Sequence, residues 1–165
     1  MKRYTLDTPG EEVFDFDIIG ISCPESHYKV IYEINTLLSI DLSLETYLEY
    51  THKEGNEFLF PLYQFIDEAL CVEYNLIPNL TSYQPPRLRN KQVSQDLFMG
   101  EVEESARLLP ELDNTDYFFM LKGQNRYMYY HAVYEQMRKS RVFTAIQEIY
   151  VEDIRDKKAR GNLLF

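Results

Sequence analysis

Val13-Phe14-Asp15-Phe16-Asp17-Ile18-Ile19-Gly20-Ile21 is the stretch on which the fold turns. It opens with apolar and acidic residues in alternation and then becomes wholly apolar, the pattern of a strand entering a sheet that is covered on at least one face. Ser22, Pro24 and Ser26 follow at once and supply helix-start chemistry: hydroxyl caps, and a ring tolerated in a first turn. Beyond them Val30, Ile31, Ile34, Leu37 and Leu38 recur at helical spacing and form one stripe, which predicts a helix from about Glu25 to Ser39.

A second unit of the same kind lies near the other end. Tyr117 to Leu121 reads as a strand, Gly123-Gln124-Asn125 as a turn, and the next segment as a helix with Tyr130, Val133, Tyr134 and Met137 on its inner stripe. Val142 to Tyr150 alternates well enough for a last strand. Asp-aromatic pairs and V/I-Y-E triplets occur in both units, but such short echoes arise by chance as readily as by duplication. The shared strand-helix-strand plan stands without common ancestry.

Between the units the chain reads as a meander. Leu44–Tyr50 begins a strand, Lys53-Glu54-Gly55-Asn56 turns it, and Phe58–Tyr63 returns antiparallel. Pro61 cannot donate to a ladder and belongs at an edge or bulge. Leu70–Ile77 forms a further strand after a polar turn at Asp67-Glu68. Tyr83-Gln84-Pro85-Pro86 opens a surface loop over residues 81–92, and Gln92 to Arg107 fits a short helix or a strand pair. The expected architecture is one α+β domain. It has a mostly antiparallel sheet of about six strands and two main helices on one face, close to a ferredoxin-like plan with extra strands. The other face must then be polar or covered by a partner, and the aromatic inventory suits partner burial or self-association. Residues 1–10 and 155–165 are expected to fray.

With 165 residues, 45% hydrophobic, the chain can build a core without disulfide or metal staples. Its net charge of −10 is uneven. Through Leu80 there are 15 acids against 4 bases, and from Thr81 onward 12 against 13, so the first half is a poor surface for phosphate backbones. Small basic clusters at Arg87-Arg89-Lys91, Arg138-Lys139-Arg141 and Arg155-Lys157-Lys158-Arg160 read as solvated faces. Cys23 and Cys71 lie in no metal or redox spacing and read as reduced, buried thiols. The amino-terminal residues lack an apolar signal core, and no run approaches the length of a membrane span. The cytoplasm is the expected compartment.

The sharpest local pattern is Leu109-Pro110-Glu111-Leu112-Asp113-Asn114-Thr115-Asp116-Tyr117. A proline and a carboxylate precede a polar turn, and an Asp-aromatic pair then opens a buried strand. The segment resembles the signature of a bacterial family named for its motif, the IPExxxVDY proteins. Pro110, Glu111, Asp116 and Tyr117 match it, with Leu109 and Thr115 standing where the name has Ile and Val. The likeness extends from the strand ending at Ile21 to the strand near Val142–Ile149. It implies a family without implying a mechanism.

Two chemistries fit these residues. Glu111, Asp113 and Asp116 could raise one another's pKa or bind a hard cation, although their spacing matches no metal loop. Alternatively Pro110 sets an extended approach, Asp113-Asn114 turns, and Asp116 accepts turn amides while Tyr117 buries its ring and finds a partner for its hydroxyl. The second account is preferred. Asp15 and Asp17 share a strand face and read as edge protection. His27, His52 and His131 have no zinc spacing; His27 is expected to be exposed and His131 half-buried. Cys23 near a helix start lacks a partner base. Arg126 and Tyr129, in a tyrosine-rich helix, form a possible interaction surface. No cofactor and no metal is implied.

The leading functional expectation is a non-catalytic interaction or regulatory module with a protein partner or a second copy of itself. A small-ligand or carboxylate enzyme using Glu111, Asp116 and Tyr117 is the alternative, and RNA binding the third.

Overall fold

The computed structural model describes residues 14–52, 55–85 and 104–165. A six-stranded, wholly antiparallel sheet forms the frame. Its strands are β1 (Phe16–Ser22), β2 (Ser43–Thr51), β3 (Glu57–Asp67), β4 (Val72–Pro78), β7 (Tyr117–Lys122) and β8 (Ala145–Ile149), in the order β2-β3-β4-β7-β1-β8. Helix α1 (His27–Leu38) connects β1 to β2, and α2 (Arg126–Met137) connects β7 to β8. This is the expected α+β plan. The β8-β1-β7-β4 end carries the ferredoxin-like alternation, and β2 and β3 are the extra strands. A two-stranded ribbon, β5 (Leu80–Thr81) with β6 (Ala106–Arg107), closes over one corner.

Both helices lie on one face. Val30 and Ile34 of α1 and Val133 and Met137 of α2 bury against Ile19, Ile21, Tyr117, Phe119, Leu121 and Leu76. These are alternate residues of β1, β7 and β4, as the period of two requires. Tyr130 and Tyr134 pack at the margin of this cluster, on the predicted inner stripe.

The opposite face departs from expectation. It is covered by the chain itself. Phe16, Ile18, Phe60, Ile77, Phe118 and Met120 meet Leu108 and Leu109 from one side and Val151, Ile154, Ala159 and Leu163 from the other. The carboxyl-terminal residues, expected to fray, are placed against this face. Asp156 caps a short helix, α3 (Lys157–Gly161), by accepting the N–H groups of Lys158 and Ala159, and Leu163 is fully buried. Tyr50 donates its hydroxyl to the Asn162 carbonyl and pins the segment over β2.

Other departures are local. Pro61 sits where β3 pairs with β2 alone, next to a register shift between Leu44 and Thr46, as its missing N–H demands. Cys71 is exposed, in a left-handed turn at φ 53°, because the strand begins one residue later. Gly123 is also left-handed, φ 105°, and a side chain there would meet the Cys71 carbonyl at 2.4 Å. The turn before α2 thus docks on the turn before β4. His131 is exposed, whereas His27 is half-buried. Thr81 and Pro85 are buried, so the start of the expected loop is tied down. The rest of that loop, with Arg87, Arg89 and Lys91, and most of Gln92–Arg107 lie outside the described residues, as do residues 1–10.

Candidate functional site

The signature forms a corner at one end of the central strands. Leu109 is fully buried, and Pro110–Leu112 make a 3-10 turn. That turn is closed by the N–H of Thr115 donating to the Leu112 carbonyl at 3.0 Å. Asp116 then extends the ladder on both sides: its N–H donates to Ile21 at 2.9 Å, and its carbonyl accepts from Asn79 at 2.8 Å.

Glu111, Thr115, Asp116 and Tyr117 each engage a distant part of the chain through the side chain. Asp116 Oδ2 accepts the N–H of Cys23 at 2.7 Å, at the start of the β1–α1 connection rather than within its own turn. The Tyr117 hydroxyl donates to the Glu25 carbonyl at 2.7 Å. Its ring packs edge-on to His27, and burial pushes its phenol far above the ordinary range. Thr115 accepts the Gln147 side-chain amide at 2.6 Å. Glu111 is exposed, but its two oxygens accept the N–H groups of Arg155 and Asp156 at 3.2 and 2.5 Å, anchoring the carboxyl-terminal segment to the corner.

The residue that organises this corner is Asn79, which the sequence reading passed over. Fully buried just after β4, it donates from Nδ2 to the carbonyls of Leu109, Leu112 and Thr115 at 3.3, 2.9 and 2.9 Å. Its Oδ1 accepts the N–H of Leu109 at 2.8 Å. Such a side chain stands in for a strand partner and satisfies an irregular turn that would otherwise strand buried carbonyls. Gly20 is the second missed residue. A Cβ there would come within 2.6 Å of Ile149 Cδ1 and 3.1 Å of the Thr115 methyl. The only sequence signal was an Asn ending an apolar run and a Gly inside a strand.

The polar atoms of Glu111, Asp116 and Tyr117 are turned to three different backbone sites, at Arg155–Asp156, Cys23 and Glu25. Two concavities among the described residues hold about 140 and 50 Å³. One lies beside Met137, Ser140 and Phe143, the other beside Tyr50, Phe58 and Leu108, and neither is lined by those three residues. Ligand pockets commonly reach ~300–1,000 Å³. Among the described residues no group of three or more His, Cys, Asp or Glu is placed to hold a metal ion. Burial raises the Cys23 thiol above its ordinary pKa, the reverse of an activated nucleophile.

Arg126 and Tyr129, the pair expected to offer an interaction surface, are both half-buried. The Arg126 guanidinium reaches Asp15 at 2.7 Å and Asp17 at 3.3 Å, which turns the supposed edge-protecting acids into an anchor for the start of α2. Tyr129 is half-buried against the helical core, while Tyr127 and Met128 are the large apolar side chains that this helix exposes. A further exposed aromatic group lies along α1 and β2. Tyr28 is 83% and Tyr47 46% exposed, and both lie close enough to Tyr63 to help raise its pKa, after burial. Tyr47 also stacks obliquely on Tyr83, with ring centres 5.6 Å apart.

No helix among the described residues is long and apolar enough to cross a membrane. No protein-family model, curated protein or solved structure matches the chain.

Proposed function

We propose that this chain is a non-catalytic interaction or regulatory module of the cytoplasm, and that it belongs with the IPExxxVDY proteins its signature resembles. One observation carries the functional reading: Glu111, Asp116 and Tyr117 direct their polar atoms at backbone groups of their own chain. A general acid, base or nucleophile must reach a substrate atom from within a cavity. These groups instead close a corner that joins β1, β7, α1 and the carboxyl-terminal segment. The exposed tyrosines at Tyr28, Tyr32 and Tyr47 fit the same reading, because tyrosine offers large contact area at low entropic cost.

The test is a photocrosslinking amino acid placed in turn at Tyr28, Tyr32 and Tyr47 of the full chain in its host cell. A single cross-linked protein, obtained from these positions and not from Lys158 of α3 on the opposite face of the sheet, is the expected result. The signature supplies the opposing arm. A Tyr117→Phe chain that keeps its thermal midpoint and all its crosslinks, yet fails to support the cell, would return these residues to chemistry and overturn the proposal.

A further inference from the structure

Three guanidinium nitrogens among the described residues are buried without a hydrogen-bond partner: Nη1 of Arg107, Nε of Arg126 and Nε of Arg160. Two of them have another source of compensation. Arg126 Nε lies 3.3 Å from the Asp17 carboxylate, and the Arg160 guanidinium sits 5.8 Å from the centre of the Phe14 ring. Arg107 has neither. It belongs to none of the ion pairs or cation–π contacts of the described residues. A buried donor with no acceptor is costly, a positively charged one more so, and a water or an ion is the usual remedy.

A cavity adjoins this residue. Arg107, the second residue of β6, lines with Leu108 the concavity of about 50 Å³ whose other walls include Tyr50, His52, Phe58 and Asn162. The ribbon, the end of β2 and the carboxyl-terminal segment meet there. Their other polar groups are spent on one another: the Tyr50 hydroxyl donates to the Asn162 carbonyl, and Asn162 Nδ2 donates to the Leu108 carbonyl at 3.2 Å. The chain carries 27 acids against 17 Lys and Arg, yet no carboxylate is among the described residues that line this cavity. Its basic members are Arg107 and His52. About 10–15 Å³ of such space admits one water, so the cavity takes a few waters or one small ion. Pockets that enclose organic ligands are far larger, at ~300–1,000 Å³. Charge decides between water and ion. Water offers an acceptor but leaves the guanidinium unneutralised in a poorly polarisable corner, whereas an oxyanion supplies both acceptor and counter-charge.

We infer that this cavity is a binding site for a free oxyanion the size of phosphate, held by Arg107 Nη1 with His52 at its side. The ion neutralises the guanidinium and ties the ribbon to β2 and to the carboxyl-terminal segment. The site shares no residue with the signature or with the exposed tyrosines, so it goes beyond the module reading and does not rest on it.

The experiment titrates the ¹⁵N-labelled full chain with inorganic phosphate, the ionic strength held constant with sodium chloride. Amides of Thr51, His52, Arg107, Leu108 and Asn162 are expected to shift together and to saturate, with a Kd below ~10 mM. Arg107→Gln, with its fold checked by the amide spectrum, should bind at least ~10-fold more weakly, because a charge-assisted hydrogen bond to the anion is lost. Arg107→Lys keeps the charge without the planar fork and should fall between the two. Arg141→Gln, in the basic cluster after α2, should bind as the parent does. Shifts that never saturate, shifts centred on Arg138–Arg141, or an Arg107→Gln protein that binds as tightly as the parent would overturn the inference and leave the cavity to water. O-phosphoserine binding as tightly as phosphate would also overturn it, since the site would then be open to a phosphate carried on a larger molecule. The crosslinks described above report on other residues, so failure here would remove the anion site and leave the module.

Discussion

The carboxylate of Asp116 accepts the backbone N–H of Cys23 at 2.7 Å, so the residue that opens β7 holds the residue that follows β1. The two strands pair with Ile21 opposite Tyr117, and this bond extends their zipper past its last rung. Without it, the N–H of a buried residue would face a partly buried gap. Asp116→Asn keeps an acceptor and loses the charge, at an expected cost of about 1 kcal/mol; Asp116→Ala loses both, at about 2 kcal/mol. Urea midpoints of the three proteins measure the difference. An alanine variant as stable as the parent would show that the bond has no structural weight.

Asn79 should matter more. Asn79→Ala takes from the Thr115 carbonyl and the Leu109 N–H the bonds Asn79 makes to them inside the core, and leaves the Leu109 and Leu112 carbonyls with the turn amides of Leu112 and Thr115, so an expected loss of ~2–4 kcal/mol follows. Asn79→Asp is nearly isosteric but replaces the donor by an acceptor aimed at three carbonyl oxygens. It should be at least as damaging, which separates hydrogen bonding from packing. Equal stability of Asn79→Asp and the parent would refute the hub.

At Gly20 the prediction concerns volume. The added methyl of Gly20→Ala meets Ile149 Cδ1 first, then Gln147 and Thr115, so overpacking should cost about 1–3 kcal/mol. Ile149→Val deletes the nearest atom. Combined with Gly20→Ala it should recover part of the loss, giving a coupling of roughly 0.5–1 kcal/mol in a double-mutant cycle. Strict additivity would place the strain elsewhere.

Glu111 and Leu163 hold the same segment in different ways. Glu111→Ala removes a surface anchor from the amides of Arg155 and Asp156, so exchange should quicken over residues 155–163 while global stability falls by only about 1 kcal/mol. Leu163→Ala opens a cavity beneath β1 and β7 and should cost ~2–4 kcal/mol. Native-state hydrogen exchange distinguishes the two, and a Glu111→Ala protein with unchanged exchange over 155–163 would contradict the anchoring role.

These predictions fall where sequence reading was weakest. The frame was legible because its signals are local. Val30 and Ile34 repeat at helical spacing, and the run from Tyr117 to Leu121 is too apolar to be anything but buried. The carboxyl-terminal segment was not legible, because Ala159 and Leu163 reach the core from among Lys157, Lys158 and Arg160, and a helix of five residues has too few turns to show a period. Asn79 and Arg126 escaped for a different reason. Asn79 finds partners 30 to 36 residues away, and Arg126 finds Asp15 and Asp17 at the other end of the chain. The signature was recognisable as a pattern, and its preference for structure over chemistry followed from turn physics. That Asp116 bonds across strands, to Cys23, required the topology.

His27 offers a test by pH. It lies between Tyr63 and Tyr117, edge-on to both, with Nδ1 3.4 Å from the Tyr63 hydroxyl. Burial pushes its imidazole below the ordinary value of 6.5. The unfolded chain therefore takes up a proton near that value, while the folded chain resists until the pH is lower. Between the two, the unfolded state binds more protons, so stability must rise with pH. It is fully present above about pH 6.5, falls as the pH drops through the window beneath it, and levels off once the folded imidazole is also charged. Urea midpoints should hold steady at neutral pH and decline from about pH 6.5 toward 5, above the range where carboxylates begin to titrate. His27→Gln, which keeps a polar planar side chain and cannot charge, should flatten that portion of the curve. A slope that survives the substitution would assign it to another group and remove His27 from the account of acid sensitivity.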